Sequence, residues 1–193
     1  SNKSSGKMGM AIAEELSDKG AKVTLIMGPS NLTSNHPNIK QINIVSAEEM
    51  YNEVDSYFNN SDISIFTAAV SDYKSKEVFT EKVKKSEENW SLSLEKNKDI
   101  LLTMSLRKNK NQFVVGFALE TENELENAKE KLKKKKLDLI VLNSTKDKGA
   151  TFGYDTNKIK IIDENLSVTD FPLKSKKEVA KDIVDEIINK VNS

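Results

Sequence analysis

The chain contains no cysteine. A disulfide framework, a thiol nucleophile and a thiolate metal centre are excluded from the start. Histidine occurs once, as His36, in an Asn- and Pro-containing loop without acidic or histidine neighbours. A zinc site lacks its ligands, a Ser/His/Asp triad lacks its base, and His36 reads as a surface residue. Net charge is also missing, because 30 basic side chains cancel 30 acidic ones. No excess positive field exists to hold a nucleic acid. No apolar run approaches a membrane span and no signal peptide precedes the first helix. The expectation is a soluble cytoplasmic protein without nucleic-acid or membrane partners. Trp90 is the single tryptophan, and among polar neighbours it reads as packing rather than as a stacking platform. What remains is a chain of 193 residues, 37% of them hydrophobic, enough for one domain, 1–193, with a real core.

The richest stretch is the first dozen residues, Ser1-Asn2-Lys3-Ser4-Ser5-Gly6-Lys7-Met8-Gly9-Met10-Ala11-Ile12. Small hydroxyls and glycines run directly into an amphipathic helix. Glycine admits a ligand close to the backbone, and a helix N-terminus presents unpaired N–H groups and a positive dipole end. Together these predict a phosphate site around Ser4, Gly6, Lys7 and Gly9. The alternative is an ordinary helix start with Ser as N-cap. The spacing matches neither a Walker loop nor Gly-x-Gly-x-x-Gly. The chain opens on this loop with no strand before it, so a further N-terminal segment is expected.

Strands and helices then alternate. Helical spacing covers 8–19, and strands are expected at 21–27 and 39–45. A capping box at Ser46–Glu49 opens a helix to about Asn59. A strand spans 62–70, a long polar stretch 71–90, and a short strand 90–94. Helices are expected at 99–107, 122–136 and 178–191, and strands at 112–118, 138–142 and 158–162. This order implies right-handed βαβ units: an α/β fold, three-layer and Rossmann-like, with a mainly parallel sheet. Ligands in such folds bind at the carboxyl ends of the strands. The 71–90 stretch is long for a plain connection and is expected to be a flexible flap.

Several groups sit at those strand ends. Ala68-Ala69-Val70-Ser71-Asp72-Tyr73 leaves room for a flat group against backbone; Asp72 can accept from a ribose, hold Mg²⁺, or simply form a turn. Lys82-Val83-Lys84-Lys85 is either a solvated charge cluster or the source of a lysine that closes over phosphates. Asp99, after Asn97-Lys98, is a candidate N-cap. Lys131 and Lys135 lie one turn apart and can grip a triphosphate together, or merely meet the negative end of their helix dipole.

Taken in order, Asn2 to Gly9, Ala21 to Pro29, Ala68 to Tyr73, Lys82 to Lys85, Val115-Gly116-Phe117-Ala118-Leu119-Glu120-Thr121, and Lys131 with Lys135-Lys136-Leu137-Asp138 closely resemble bacterial phosphopantothenoylcysteine synthetase. The resemblance spans nearly the whole chain. It implies ligation of 4′-phosphopantothenate and cysteine in coenzyme A biosynthesis, with CTP as co-substrate and Mg²⁺ as cofactor, in a homodimer. The family is often fused behind a flavin-dependent decarboxylase. Carried over by position, it implies Asn2 at an acyl-cytidylate intermediate and Lys82 on the flap. It implies a cytidine site of Phe66, Thr67, Ala68, Asp72, Lys98, Asp99, Ile100, Leu101, Phe117, Lys131 and Lys135. A glycine-rich strand exit and an arginine that the family carries ahead of Asn2 are not in this sequence. Two other classes stay open: a Rossmann-type dinucleotide-binding oxidoreductase, whose glycine fingerprint is absent and whose Tyr-x-x-x-Lys pair is not expected at Tyr51, Tyr57, Tyr73 or Tyr154, and a non-catalytic nucleotide sensor.

Overall fold

The computed structural model describes residues 5–77, 91–144 and 155–192. Helix α1 (Lys7–Asp18) leads into β1 (Val23–Met27), and a loop returns to β2 (Ile39–Asn43). These two strands pair in parallel, Val23 opposite Ile39. Helix α2 (Ala47–Phe58) starts where the Ser46 hydroxyl accepts the Glu49 amide. The Glu49 carboxylate in turn accepts the Ser46 hydroxyl and the Val45 amide. Then follow β3 (Ile63–Phe66), β4 (Tyr73–Ser75), β5 (Leu94–Lys96), α3 (Ile100–Arg107), β6 (Phe113–Glu120), α4 (Glu124–Lys134), β7 (Leu139–Ser144), β8 (Thr156–Asp163), β9 (Val168–Ser175) and α5 (Lys176–Val191).

The central sheet has the order β3-β6-β7-β8-β9. It is parallel through β3, β6 and β7 and antiparallel where β8 and β9 extend it. The β1–β2 pair forms a separate small sheet, and β4–β5 an antiparallel ribbon. The period-2 alternation of the strands divides the core. Val114, Ile140, Leu142 and Ile162 face the layer holding Met50 and Phe58 of α2, Ile100 and Met104 of α3, and Ala128 and Leu132 of α4. Val115, Leu139, Val141, Ile159 and Ile161 face Ile12 of α1 and Val179, Ala180, Ile183, Val184 and Ile187 of α5. Helices thus cover both faces, giving the expected three layers. Burying each such aliphatic side chain contributes about 1.5–3 kcal/mol relative to exposure.

The structure corrects several expected boundaries. Helix α1 is not capped by a serine. Gly6 takes the cap position at φ 76° with no side-chain cap bond, and Ser5 Oγ accepts the Lys7 amide at 3.4 Å. The strand expected over 62–70 stops at Phe66, because the chain past it leaves the sheet. Helix α5 begins two residues earlier than expected, at Lys176, since Ser175 and Glu178 form a reciprocal capping box. Strand β9 was not anticipated: it is largely exposed and holds Pro172, which suits an edge strand. Within the expected flap, Tyr73–Ser75 pairs with β5; Trp90 and the rest of it from 78 to 90 lie outside the described residues.

Candidate functional site

Two glycines let the start of α1 reach the carboxyl ends of β1 and β3. A Cβ on Gly6, besides being strained at its positive φ, would stand 2.7 Å from Met27 Cε. A Cβ on Gly9 would stand 3.0 Å from Thr67 Oγ1. The N–H groups of the first turn therefore open beside the Thr67 strand exit. Lys7 Nζ lies 2.6 Å from Asp155 Oδ1, and this contact holds the Asp155 carboxyl below its usual range. Burial, and then the charge of Lys7, pulls Lys176 below an ordinary lysine, with Asp155 opposing. Two cations thus meet one carboxylate where two helices present their positive ends.

A second group gathers across the same edge of the sheet. Ala68 and Asp72 are exposed on the exit of β3, and Thr67 is half-buried. Asn97 straps this exit to the next loop: its amide donates to the Asp72 carbonyl (2.8 Å) and its Nδ2 to the Ser71 carbonyl (2.7 Å). The following Asp99 caps α3 by accepting the Leu102 amide at 3.0 Å. Its other oxygen lies 2.8 Å from Lys135 Nζ. Burial pushes the Asp99 carboxyl up, but Lys135, the Leu102 amide and Lys131 outweigh it, leaving it below the ordinary range. Ile100 is buried and Leu101 half-buried in the first turn of α3. Lys98 Nζ rests 4.3 Å from the centre of the Tyr51 ring.

Strand β3 ends at Phe66 opposite Gly116, whereas β6 continues to Glu120 alongside β7. Residues 117–120 therefore run past β3 with one backbone edge unpaired by it. The Phe117 carbonyl accepts Lys131 Nζ at 2.9 Å. Burial first, and the charge of Lys135 second, pulls Lys131 below an ordinary lysine; Glu120, Asp99 and Asp72 partly offset this. An ammonium desolvated beside another ammonium is stabilised by an incoming anion. The arrangement can hold a polyanion at Lys131 and Lys135 and a flat, hydrogen-bonding group along the open edge of β6.

The family model described as the DNA/pantothenate metabolism flavoprotein C-terminal domain matches residues 1–191. The chain belongs to this family. Among its relatives is a cysteine/cysteine sulfinic acid decarboxylase of an unknown prokaryotic organism, 44% identical over all of this chain and 54% of its own. The coenzyme A biosynthesis bifunctional protein CoaBC of Haemophilus influenzae is 44% identical over 98% of this chain and 47% of its own. The chain thus spans about half the length of the curated relatives it matches. The crystal structure of the C-terminal domain of a CoaBC protein superposes with a TM-score of 0.83 at 35% identity, over 99% of this chain and 85% of that one.

In this family member, the residues expected from the sequence fall into two groups and a remainder. Gly6, Lys7 and Gly9 gather with Thr67; Phe66, Ala68, Asp72, Lys98, Asp99, Ile100, Leu101, Phe117, Lys131 and Lys135 gather around the Asn97 strap. Asn2, Ser4 and Lys82 lie outside the described residues. No group of three or more His, Asp or Glu side chains that could hold a metal ion occurs among the described residues. His36 is remote from this edge, its Nε2 3.4 Å from Asp18 Oδ1. The Tyr-x-x-x-Lys spacing needs one correction, since Lys158 does follow Tyr154 by four residues. Lys158 stands in β8, whereas Tyr154 lies outside the described residues.

Sequence reasoning missed Asn97, Asp155 and an amide pair at the carboxyl end of β7, where Asn157 Nδ2 donates to Asn143 Oδ1 at 3.1 Å. Asn157 is buried. The one available signal was Asn143 itself, a polar residue directly after the apolar run Leu139–Leu142. No helix among the described residues is long and apolar enough to cross a membrane.

Proposed function

We propose that residues 1–193 act as one synthetase unit, a CTP-dependent phosphopantothenate–cysteine ligase of coenzyme A biosynthesis. The observation that carries this reading is the lysine pair at the end of β6. Lys131 is desolvated on the Phe117 carbonyl, Lys135 is one turn away, and Asp99 lies 2.8 Å from Lys135. Two adjacent ammonium groups, one of them desolvated, suit a nucleoside triphosphate, beside a strand edge able to read a small base against Ala68 and Phe117.

The substrates supply both nucleophiles, which accounts for a site without a cysteine or a usable histidine. A carboxylate oxygen of 4′-phosphopantothenate attacks the α-phosphorus of CTP, and the bond to the pyrophosphate oxygen breaks. The cysteine nitrogen then attacks the acyl carbon, loses a proton, and CMP leaves. The work of the protein is placement and charge neutralisation. Lys131 and Lys135 take the phosphates, Asn97 fixes the base-side loop, and the first turn of α1 offers N–H donors to phosphate. Asn2 holds the acyl-cytidylate and Lys82 covers it. Mg²⁺ fits an exposed carboxylate beside phosphates, so Asp72 would hold it with phosphate oxygens, and it supplies further charge neutralisation when bound. We infer a homodimer acting in the cytoplasm.

The test is pyrophosphate release from CTP, with and without phosphopantothenate and cysteine. Ligation predicts release that requires phosphopantothenate and amide product that requires cysteine. Binding of CTP without turnover supports a nucleotide sensor. Equal turnover with ATP refutes the pyrimidine reading of the slot.

A further inference from the structure

Lys98 stands in an unusual electrostatic position. It directly precedes Asp99, the cap of α3, so its backbone sits at the positive end of a helix dipole. The neighbouring carboxylate is already taken by Lys135 and the Leu102 amide. Lys98 instead lies over an aromatic face, 4.3 Å from the centre of the Tyr51 ring. A ring face is the negative side of its quadrupole and attracts a cation. Tyr51 is anchored: it is half-buried in α2 and packs against the core cluster of Met50, Phe58, Ile100 and Met104. The nearby guanidinium of Arg107 is engaged by Asp55, which leaves the ring to Lys98. On the other side, Asn97 pins the loop backbone to Ser71 and Asp72.

We propose that Tyr51 is a positioning residue for the nucleotide site. Its ring holds the flexible lysine stem so that the Lys98 ammonium is pre-placed at the mouth of the site, from the loop that leads into Asp99, where the nucleotide phosphates arrive. The binding cost of ordering a four-carbon side chain is met before the ligand comes. This rests on the nucleotide reading of the same loop given above.

The experiment compares wild type with Tyr51→Phe, Tyr51→Leu, Lys98→Met and the Tyr51→Leu/Lys98→Met pair. Each is assayed for kcat and for the KM of CTP and of cysteine, and its melting temperature is measured. Tyr51→Leu is expected to raise the KM for CTP roughly two- to fivefold, the effect of losing an exposed cation–π contact. Its kcat and its KM for cysteine stay at the wild-type values. Tyr51→Phe keeps the face and restores the wild-type KM, and Tyr51→Leu adds nothing in the Lys98→Met background. A second readout needs no turnover. Ring current shifts the Lys98 ε-methylene signals upfield in wild type and Tyr51→Phe, and the shift disappears in Tyr51→Leu. An unchanged KM in folded Tyr51→Leu, equal losses in Phe and Leu variants, or an upfield shift that survives in Tyr51→Leu overturns the proposal. Wild type that releases no pyrophosphate overturns the ligase reading instead, and the ring-current arm still decides where Tyr51 holds Lys98.

Discussion

The two ends of the central sheet use charge in opposite ways. At the amino end, two carboxylates are each closed by both a counter-charge and the backbone. Asp138 accepts Lys108 and also the Val114 amide at 2.7 Å. Asp163, opposite Leu139, accepts Lys190 at 2.6 Å and the Ser167 and Asn165 amides at 2.9 and 3.0 Å. At the carboxyl end, two lysines rest on groups other than a carboxylate. Lys131 rests on a carbonyl and Lys98 on a ring. The difference separates stability from function. Charges that complete one another hold strands together, whereas cations resting on a carbonyl or a ring at strand exits are available to a ligand.

The largest expected effect breaks the carboxyl end. Lys131→Met should lower ligation by about 10²-fold, the usual consequence of removing one preorganised donor from developing phosphate charge. The melting temperature should hold or rise, because a desolvated ammonium is replaced by an apolar side chain of similar length. Loss of folding together with activity would place Lys131 among the structural charges instead. The converse change comes second. Asp138→Ala leaves the Val114 amide and the Lys108 ammonium without their partner and should cost about 1–3 kcal/mol in urea unfolding. The KM for CTP should stay at the wild-type value. A raised KM with unchanged stability would erase the distinction between the two ends.

The scaffold was legible because its signals are local. The apolar runs at 113–118 and 139–142, the Ser46 cap and the Asp99 cap each follow from residues within a few positions. The site was legible in part for a different reason. The lysine pair at 131 and 135 follows from helical spacing, but its selection as a ligand grip needed the resemblance. The Asn97 strap, the Asn143–Asn157 pair and the Lys98–Tyr51 contact were not legible. Each joins residues 14 to 47 positions apart, through pairings that only the completed sheet and its helices bring about. Strand β9 escaped for the opposite reason: an exposed edge has no buried face, so its hydropathy shows no alternation to read.

The smallest effect sharpens the comparison through pH. Burial pushes the Asp163 carboxyl up, but the Lys190 ammonium and the Ser167 and Asn165 amides outweigh it, so in the folded chain it lies below its ordinary range. A depressed folded pKa means that folding favours the ionised form. The contribution is complete above the unfolded carboxyl value, about pH 4, and is lost as the pH falls below that through the folded value. Asp99 has the same sign, with burial raising it and Lys135 and the Leu102 amide lowering it further. The two should part company when CTP is present. Asp163 is remote from the strand exits, so Asp163→Asn should flatten the acid limb of the melting curve equally with and without nucleotide. Asp99 shares Lys135 with the phosphates, so Asp99→Asn should alter the limb by an amount that depends on CTP. Thermal melts from about pH 5 to pH 2, each with and without CTP, measure both. Nucleotide dependence at Asp163, or its absence at Asp99, would show that ligand-facing and structural charges do not divide between the two ends of the sheet.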